Sequence, residues 1–266
     1  MLFSRQTPTS NPLKIMKLPV VESFFSLQGE GKRIGRPSLF LRLGGCNLSC
    51  KGFNCKTTLN DEILVGCDSL YAVHSKFKDS WDYYSEPKSL IKRLETLTPS
   101  YHHFDLILTG GEPSLHFNNP ILLSVLEYFH HHSIPLYVES NGSIFFEFSP
   151  ILKELHFTLS VKLSLSLEKE NKRINLKALQ NILDNAKSVN FKFVLDSMNA
   201  TQSITEIQNL LKQLTLKNNE IFLMPLGTTS HELDKNLKAL APLALEHGYS
   251  LSDRLHIRLW NNEKGF

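Results

Sequence analysis

Long apolar runs are missing from this chain. None of its 266 residues belongs to a stretch near the ~18 consecutive apolar positions that cross a bilayer, so no membrane partner is expected. The first fifteen residues, MLFSRQTPTSNPLKI, lack the apolar centre of a secretory signal and read as a tail, 1–15. Charge of one sign is also missing. Lys and Arg number 29 against 26 Asp and Glu, a net +3. They form no run suited to a phosphate backbone, so no direct nucleic-acid contact is expected. Cysteine is scarce, with four residues that all fall between positions 46 and 67. With no secretory signal, a cytoplasmic location and reduced thiols are expected. No low-complexity tract or linker divides the chain, which predicts one domain over 16–266.

What is present suits a packed α/β protein. Hydrophobic residues are 41% of the chain, enough apolar surface to offset chain entropy. Apolar runs over 20–25, 38–43, 104–108, 134–138, 156–161, 191–195 and 220–224 read as strands covered on both faces. Between them, helical spacing appears at Leu122, Val125, Leu126 and Phe129, at Leu176 to Ala186, at Ile204 to Leu214, and at Leu233, Leu237 and Leu240. Ser203 with Glu206 has capping-box spacing, and Pro242 predicts a kink or restart. The alternation implies βαβ units with a parallel sheet. The segment 51–87 breaks the alternation and reads as an elaborated loop insertion.

Polar or glycine-rich residues follow six successive strands. Leu43 runs into Gly44-Gly45-Cys46, and Leu108 into Thr109-Gly110-Gly111-Glu112-Pro113. Val138 runs into Glu139-Ser140-Asn141-Gly142, and Leu159 into Ser160-Val161-Lys162. Asp196 and Pro225-Leu226-Gly227 follow the last two. In α/β barrels and open sheets, chemistry collects at the carboxyl ends of strands. Cys46 and Cys50 form a C-x3-C pair directly after one of them. Four cysteines in so short a segment point to metal or cluster binding rather than to scattered core residues.

The C-x3-C pair, followed a strand later by Thr-Gly-Gly-Glu-Pro, resembles the radical S-adenosylmethionine superfamily. That resemblance implies a partial, TIM-like parallel β/α barrel. It also implies a [4Fe–4S] cluster held by three thiolates, with the fourth iron open to S-adenosylmethionine. Gly110 and Gly111 would then let backbone approach the methionyl end of the cofactor. A narrower likeness rests on Glu22-Ser-Phe-Phe-Ser-Leu-Gln-Gly-Glu-Gly31, on Gly35-Arg36-Pro37, and on Phe40 to Leu48. These segments resemble the 7-carboxy-7-deazaguanine synthases. That family turns 6-carboxy-5,6,7,8-tetrahydropterin into 7-carboxy-7-deazaguanine with loss of ammonia, a carbon–nitrogen lyase step on the way to queuosine. It uses S-adenosylmethionine, a [4Fe–4S] cluster and Mg²⁺, takes electrons from a donor such as a flavodoxin, and is homodimeric.

Carried over by position, the resemblance assigns Leu27, Gln28, Gly29 and Glu30 to the pterin. Arg42 would meet the substrate carboxylate, a pairing that a guanidinium fork makes with two parallel bonds. Thr109 would touch substrate. Gly110, Gly111, Glu112, Ser160, Val161 and Lys162 would touch S-adenosylmethionine. The third cluster ligand has two candidates. Cys55 gives x4 spacing and is followed by Lys56-Thr57; Cys67 gives x16 spacing and is followed by Asp68-Ser69. The family has Asp-Thr here, with the hydroxyl on Mg²⁺, and a lysine beside a divalent ion is the poorer match. The reading therefore takes Cys46, Cys50 and Cys67 for the cluster and Ser69 for Mg²⁺. Looping out the extra residues costs only ~1 kcal/mol.

The remaining candidates read as structural. His102, His103 and His130 to His132 are taken as solvated surface, and Phe145 to Phe148 as core or dimer packing. Trp260 and Phe266 are taken as packing residues. His256 and Arg258 would approach the substrate only if the C-terminal segment closes over it, and the reading leaves them out of the site. Two alternatives stand beside the main one: a radical activating enzyme for a glycyl-radical protein, and a zinc-stabilised binding module using all four cysteines.

Overall fold

The computed structural model describes residues 16–100, 103–261 and 263; the expected tail at 1–15, His102 and Phe266 lie outside the described residues. The chain opens with strand β1 (Leu18–Leu27) and β2 (Pro37–Leu43), then β3 (Cys55–Leu59) and β4 (Glu62–Gly66). Helix α1 (Leu70–Val73), β5 (Asp82–Tyr84) and α2 (Pro87–Glu95) follow. Strand–helix alternation then sets in, with β6 (Asp105–Gly110), α3 (Pro120–His131), β7 (Leu136–Ser140), β8 (His156–Leu159), α4 (Glu170–Arg173) and α5 (Leu176–Asn185). It continues through β9 (Ser188–Leu195), α6 (Ala200–Leu211), β10 (Ile221–Pro225), α7 (Ser230–His247), β11 (Ser250–Leu251) and α8 (Leu255–Trp260).

One nine-stranded sheet runs in the order β11-β10-β9-β8-β7-β6-β2-β1-β5. From β2 to β11 every pair is parallel; β1 pairs antiparallel with both β2 and β5. Six strands, β2 and β6 to β10, thus lie side by side in chain order with helices on one face. This is a partial TIM-like barrel whose edges, β5 and β11, are not paired to each other among the described residues.

Each predicted strand is present. Their side chains alternate more cleanly than the apolar runs suggested. Leu39, Leu41 and Leu43 on β2, Leu106 and Leu108 on β6, and Phe191, Phe193 and Leu195 on β9 join the core beneath the helices. Arg42, Thr109, Glu139 and Lys192 take the intervening positions and line the interior. The helices α3, α5 and α7 begin where side chains take up orphan N–H groups. Asn119 caps α3 and Asn175 caps α5; Thr229 with Glu232 makes a capping box on α7. The capping box expected at Ser203 and Glu206 does not form. The helix there already starts at Ala200, and Glu206 pairs with Arg173 while accepting from Ser164 N–H. Pro242 does not interrupt α7, which runs through it. The carbonyl that loses its partner belongs to exposed Lys238, where water can replace the bond.

The 51–87 segment holds more regular structure than its sequence suggested. β3 and β4 form a hairpin closed by Asn60 and Asp61, with φ of 49° and 62°. Asn and Asp tolerate this left-handed backbone, which two-residue hairpin turns of matching twist require. β5 then returns to the edge of the main sheet.

One junction fixes the cysteine loop to the barrel. The Gly111 N–H donates to Leu43 O at 3.1 Å, and the Glu112 N–H to Gly45 O at 2.8 Å. A Cβ at Gly111 would sit 2.1 Å from Gly45 O, and one at Gly110 would sit 2.2 Å from Leu43 O. The glycines are thus needed first for backbone-to-backbone packing, a different reason from the cofactor approach expected of them. Gly111→Ala should lower the unfolding free energy by about 1–3 kcal/mol. A urea midpoint unchanged from the parent would contradict this reading of the junction.

Candidate active site

A cavity of about 1000 Å³ opens inside the partial barrel. Every residue expected at the site lines it except Glu112 and Val161. Val161 is 1% exposed and belongs to the core. Glu112 is equally buried, and its carboxylate accepts from Ser114 N and Oγ, Ser140 Oγ and Asn141 N at 2.6–3.0 Å. It ties the end of β6 to the end of β7. A buried carboxylate needs such partners, so Glu112 braces the site and does not face the cavity.

Cys46, Cys50 and Cys67 line one part of the wall. Cys50 is close enough to act electrostatically on both of the others. Burial pushes the thiols of Cys46 and Cys67 up to about 12, and pushes Cys50 upward as well. Even with a lysine nearby, burial keeps these thiols protonated at neutral pH; iron would replace the protons. Lys162 acts on all three thiols and draws them back toward the thiolate. Its Nζ is held by Ser160 O at 3.0 Å and Ser160 Oγ at 2.8 Å. Cys55 also lines the cavity, but the charged groups acting on it are Asp68, Arg254 and Glu232, and burial raises its thiol to about 11. The donor set of three grouped thiols beside one ammonium suits an anionic iron–sulfur cluster. Among the described residues, no three His, Cys, Asp or Glu side chains are set to hold a single metal ion.

A second group of charges lines the same cavity. Glu30 accepts from Lys192 Nζ at 2.5 Å and from Arg254 Nε at 3.0 Å. Burial alone would push the Glu30 carboxyl up, but Lys192 and Arg254 outweigh it and hold the group well below the usual carboxylate range. Lys192 also lies 3.5 Å from Glu139, which accepts from Thr109 Oγ1 at 3.0 Å and from Gln28 Nε2 at 3.3 Å. Arg254 reaches on to Asp68 Oδ2 at 2.6 Å and Gly227 O at 2.6 Å. Arg42 donates to Glu22 at 2.7 Å and points Nη1 at Ser69 Oγ, 3.5 Å away. Tyr71 OH meets the same Glu22 oxygen at 2.7 Å. The Ser69 hydroxyl in turn lies 3.3 Å from Asp68.

The protein-family comparison matches a 4Fe-4S single cluster domain over residues 27–183. The 7-carboxy-7-deazaguanine synthase of Halobacterium salinarum is 33% identical over 270 residues, covering 92% of this chain and 91% of that one. The chain belongs to the 7-carboxy-7-deazaguanine synthase family. A synthase of that name from Rhodopirellula baltica is 27% identical, covering 98% of this chain and 94% of its own. Among solved structures, the crystal structure of QueE from Escherichia coli superposes with a TM-score of 0.61 at 22% identity. It covers 90% of this chain and 95% of that one, and shares the fold.

Several residues that line this cavity are not marked as site residues by the sequence. Lys192 was hidden between Phe191 and Phe193, where a lone lysine at a strand interior was the available signal. Glu139 reads from the sequence only as a strand end. Arg254 carries no spacing signal at all, and the sequence marks Asp68 only as the residue after Cys67, without its bond to Arg254. His256, left out of the site, lines the cavity 3.9 Å from Glu30. A Cβ at Gly29 would meet its Nδ1 at 2.1 Å, so this glycine makes room for the ring. Arg258 pairs instead with Asp253 and Asp234. His130 to His132 are exposed, as expected. Phe146 packs on Phe117 and Phe157, and half-exposed Phe145 lies under Lys177.

Removing one partner of a buried ion pair leaves the other uncompensated. Lys192→Met should therefore destabilise the fold by about 3 kcal/mol at pH 7. Glu30 has a lowered carboxyl in the fold, so its contribution is present above the unfolded value of ~4.3 and is lost as pH falls toward the folded value. Chemical denaturation of parent and variant from pH 7 to pH 3 reads both effects. A variant as stable as the parent at pH 7 would contradict the assignment.

Proposed function

We propose that this chain is a radical S-adenosylmethionine enzyme that converts 6-carboxy-5,6,7,8-tetrahydropterin to 7-carboxy-7-deazaguanine with loss of ammonia, in 7-deazapurine (queuosine) biosynthesis. The observation that carries the reading is the convergence of three grouped thiols, Lys162 and the Arg42–Ser69 pair on one cavity, in a chain of this family. When bound, the [4Fe–4S] cluster and S-adenosylmethionine supply a carbon radical that abstracts a substrate hydrogen.

The chain's own residues have three tasks. Cys46, Cys50 and Cys67 hold the cluster; Lys162 acts on all three of these thiols and not on Cys55, which supports that choice. Ser160 and Lys162, with the Gly110-Gly111 turn, border the space left for S-adenosylmethionine, and the ammonium offsets its carboxylate. Arg42 takes the substrate carboxylate through its guanidinium. Ser69, with Asp68 beside it, offers hard oxygen atoms to Mg²⁺ next to that carboxylate. Leu27, Gln28, Gly29, Glu30 and Thr109 face the bicyclic ring. Glu139 and Lys192 add an acceptor and a donor to the same cavity. The same reading carries a single domain over 16–266, a homodimer, an electron donor such as a flavodoxin, and a cytoplasmic location.

Anaerobically reconstituted protein should be incubated with carboxytetrahydropterin, S-adenosylmethionine, Mg²⁺ and dithionite, and the product mass recorded. Appearance of the deazapurine supports the proposal; cleaved S-adenosylmethionine without it would contradict the substrate assignment. Cys67→Ala should lose the cluster's visible absorbance while Cys55→Ala keeps it, and the opposite pattern would exchange the two ligands. Arg42→Ala should retain the cluster and lose at least tenfold in turnover, as expected when a charged hydrogen bond worth ~1.5–3 kcal/mol is removed. Parental turnover would remove Arg42 from substrate binding.

A further inference from the structure

The loop carrying Cys50 is clamped by a side chain from a distant part of the chain. Glu168 Oε1 accepts from Ser49 N–H at 2.5 Å, from Ser49 Oγ–H at 2.7 Å and from Cys50 N–H at 2.9 Å. The segment before it presses on the same loop. A Cβ at Gly52 would stand 1.8 Å from Leu165 O, so the chain directly after Cys50 lies backbone to backbone on residues 165–166. Both sides of this contact adopt left-handed backbone without glycine: Cys50 at φ 47°, Asn54 at φ 54° and Leu167 at φ 59°. Such positions cost about 1–3 kcal/mol each and persist only where the surroundings hold them. Leu167 is also 76% exposed, so apolar burial does not explain its conformation. The strained turn's evident result is to aim Glu168 back at the cysteine loop.

Two consequences follow for a cluster bound through Cys50. Backbone N–H groups near a cluster-ligating cysteine are ready donors to cluster sulfur, and such bonds make a cluster easier to reduce. Here the Ser49 and Cys50 N–H groups are directed to a carboxylate instead. The carboxylate also brings a fixed negative charge beside a Cys50 that takes part in a redox couple. Added negative charge opposes the one-electron step from [4Fe–4S]²⁺ to [4Fe–4S]⁺, in which no bond forms or breaks. We propose that Glu168 is a positioning residue that holds the Cys50 loop and keeps the cluster strongly reducing.

This inference rests on the reading of Cys50 as a cluster ligand, and its test separates the two. Glu168→Gln keeps an oxygen acceptor for the loop and removes the charge. Glu170→Gln removes the same formal charge from an exposed residue that makes none of these contacts. Each protein is reconstituted anaerobically, its iron and sulfide are counted, and its reduction is followed by electron paramagnetic resonance against mediated potential. Glu168→Gln should load the parental amount of iron and sulfide. It should then be about tenfold more reduced than the parent at the parent's midpoint, which is about 59 mV for a one-electron couple. Glu170→Gln should titrate with the parent. An unchanged potential in a fully loaded Glu168→Gln protein overturns the proposal, as does an equal shift in Glu170→Gln. A folded Glu168→Gln protein that cannot retain iron leaves the residue a scaffold role alone and overturns it too. Failure of the parent itself to bind iron and sulfide would instead defeat the underlying cluster reading.

Discussion

Charge inside a barrel has to be matched, and Glu30 is where this protein matches it. Its carboxylate stands between Lys192 on β9 and Arg254 from the C-terminal segment. Arg254 carries the connection to Asp68, the residue after Cys67, and Lys192 carries it to Glu139 on β7. One ion-pair chain, buried at Glu30, Lys192 and Arg254 and half-exposed at Asp68, therefore joins the segment after β1, the cysteine-bearing insertion, the interior of the sheet and the C-terminal segment. Loss of a partner would leave a charge in a low-dielectric interior at a cost of several kcal/mol. The cavity keeps its shape because its charged walls have few other arrangements open to them.

The same site needs close backbone approach. Gly110 and Gly111 let the end of β6 lie on the loop after β2, so Cys46 and the following strand end move as one unit. Glu112 then ties that unit to β7, and Glu168 ties Cys50 to the segment after β8. The hairpin β3–β4 is interposed between Cys50 and Cys67, and its ends begin and finish near those two residues. A closed hairpin pairs its own backbone, so the insertion can lengthen the spacing between the cysteines without leaving unpaired polar groups.

Much of this was legible in the sequence, and the reasons for success and failure differ by residue. Buried parallel strands announce themselves through continuous Val, Ile, Leu and Phe, which is why β2, β6 and β9 could be marked from composition. Cys46, Arg42 and Thr109 stand beside recognisable motifs. Lys192 and Glu139 were harder, because one polar residue inside an apolar run breaks no periodic pattern strongly. Their role emerges only when β7 and β9, with β8 between them, turn both side chains into the same cavity, 3.5 Å apart. Glu112 misled for the converse reason: it lies within the motif, but four donors from Ser114, Ser140 and Asn141 turn it away from the cavity. Arg254 and Glu168 act across more than a hundred residues of chain, a distance that local spacing cannot register.

If three grouped thiols hold a four-iron cluster, the metal content of the protein must show it. Protein reconstituted anaerobically with iron and sulfide, then desalted, should carry about four of each per chain, as the three-thiolate cubane requires. One tightly held zinc per chain with no acid-labile sulfide would contradict the claim.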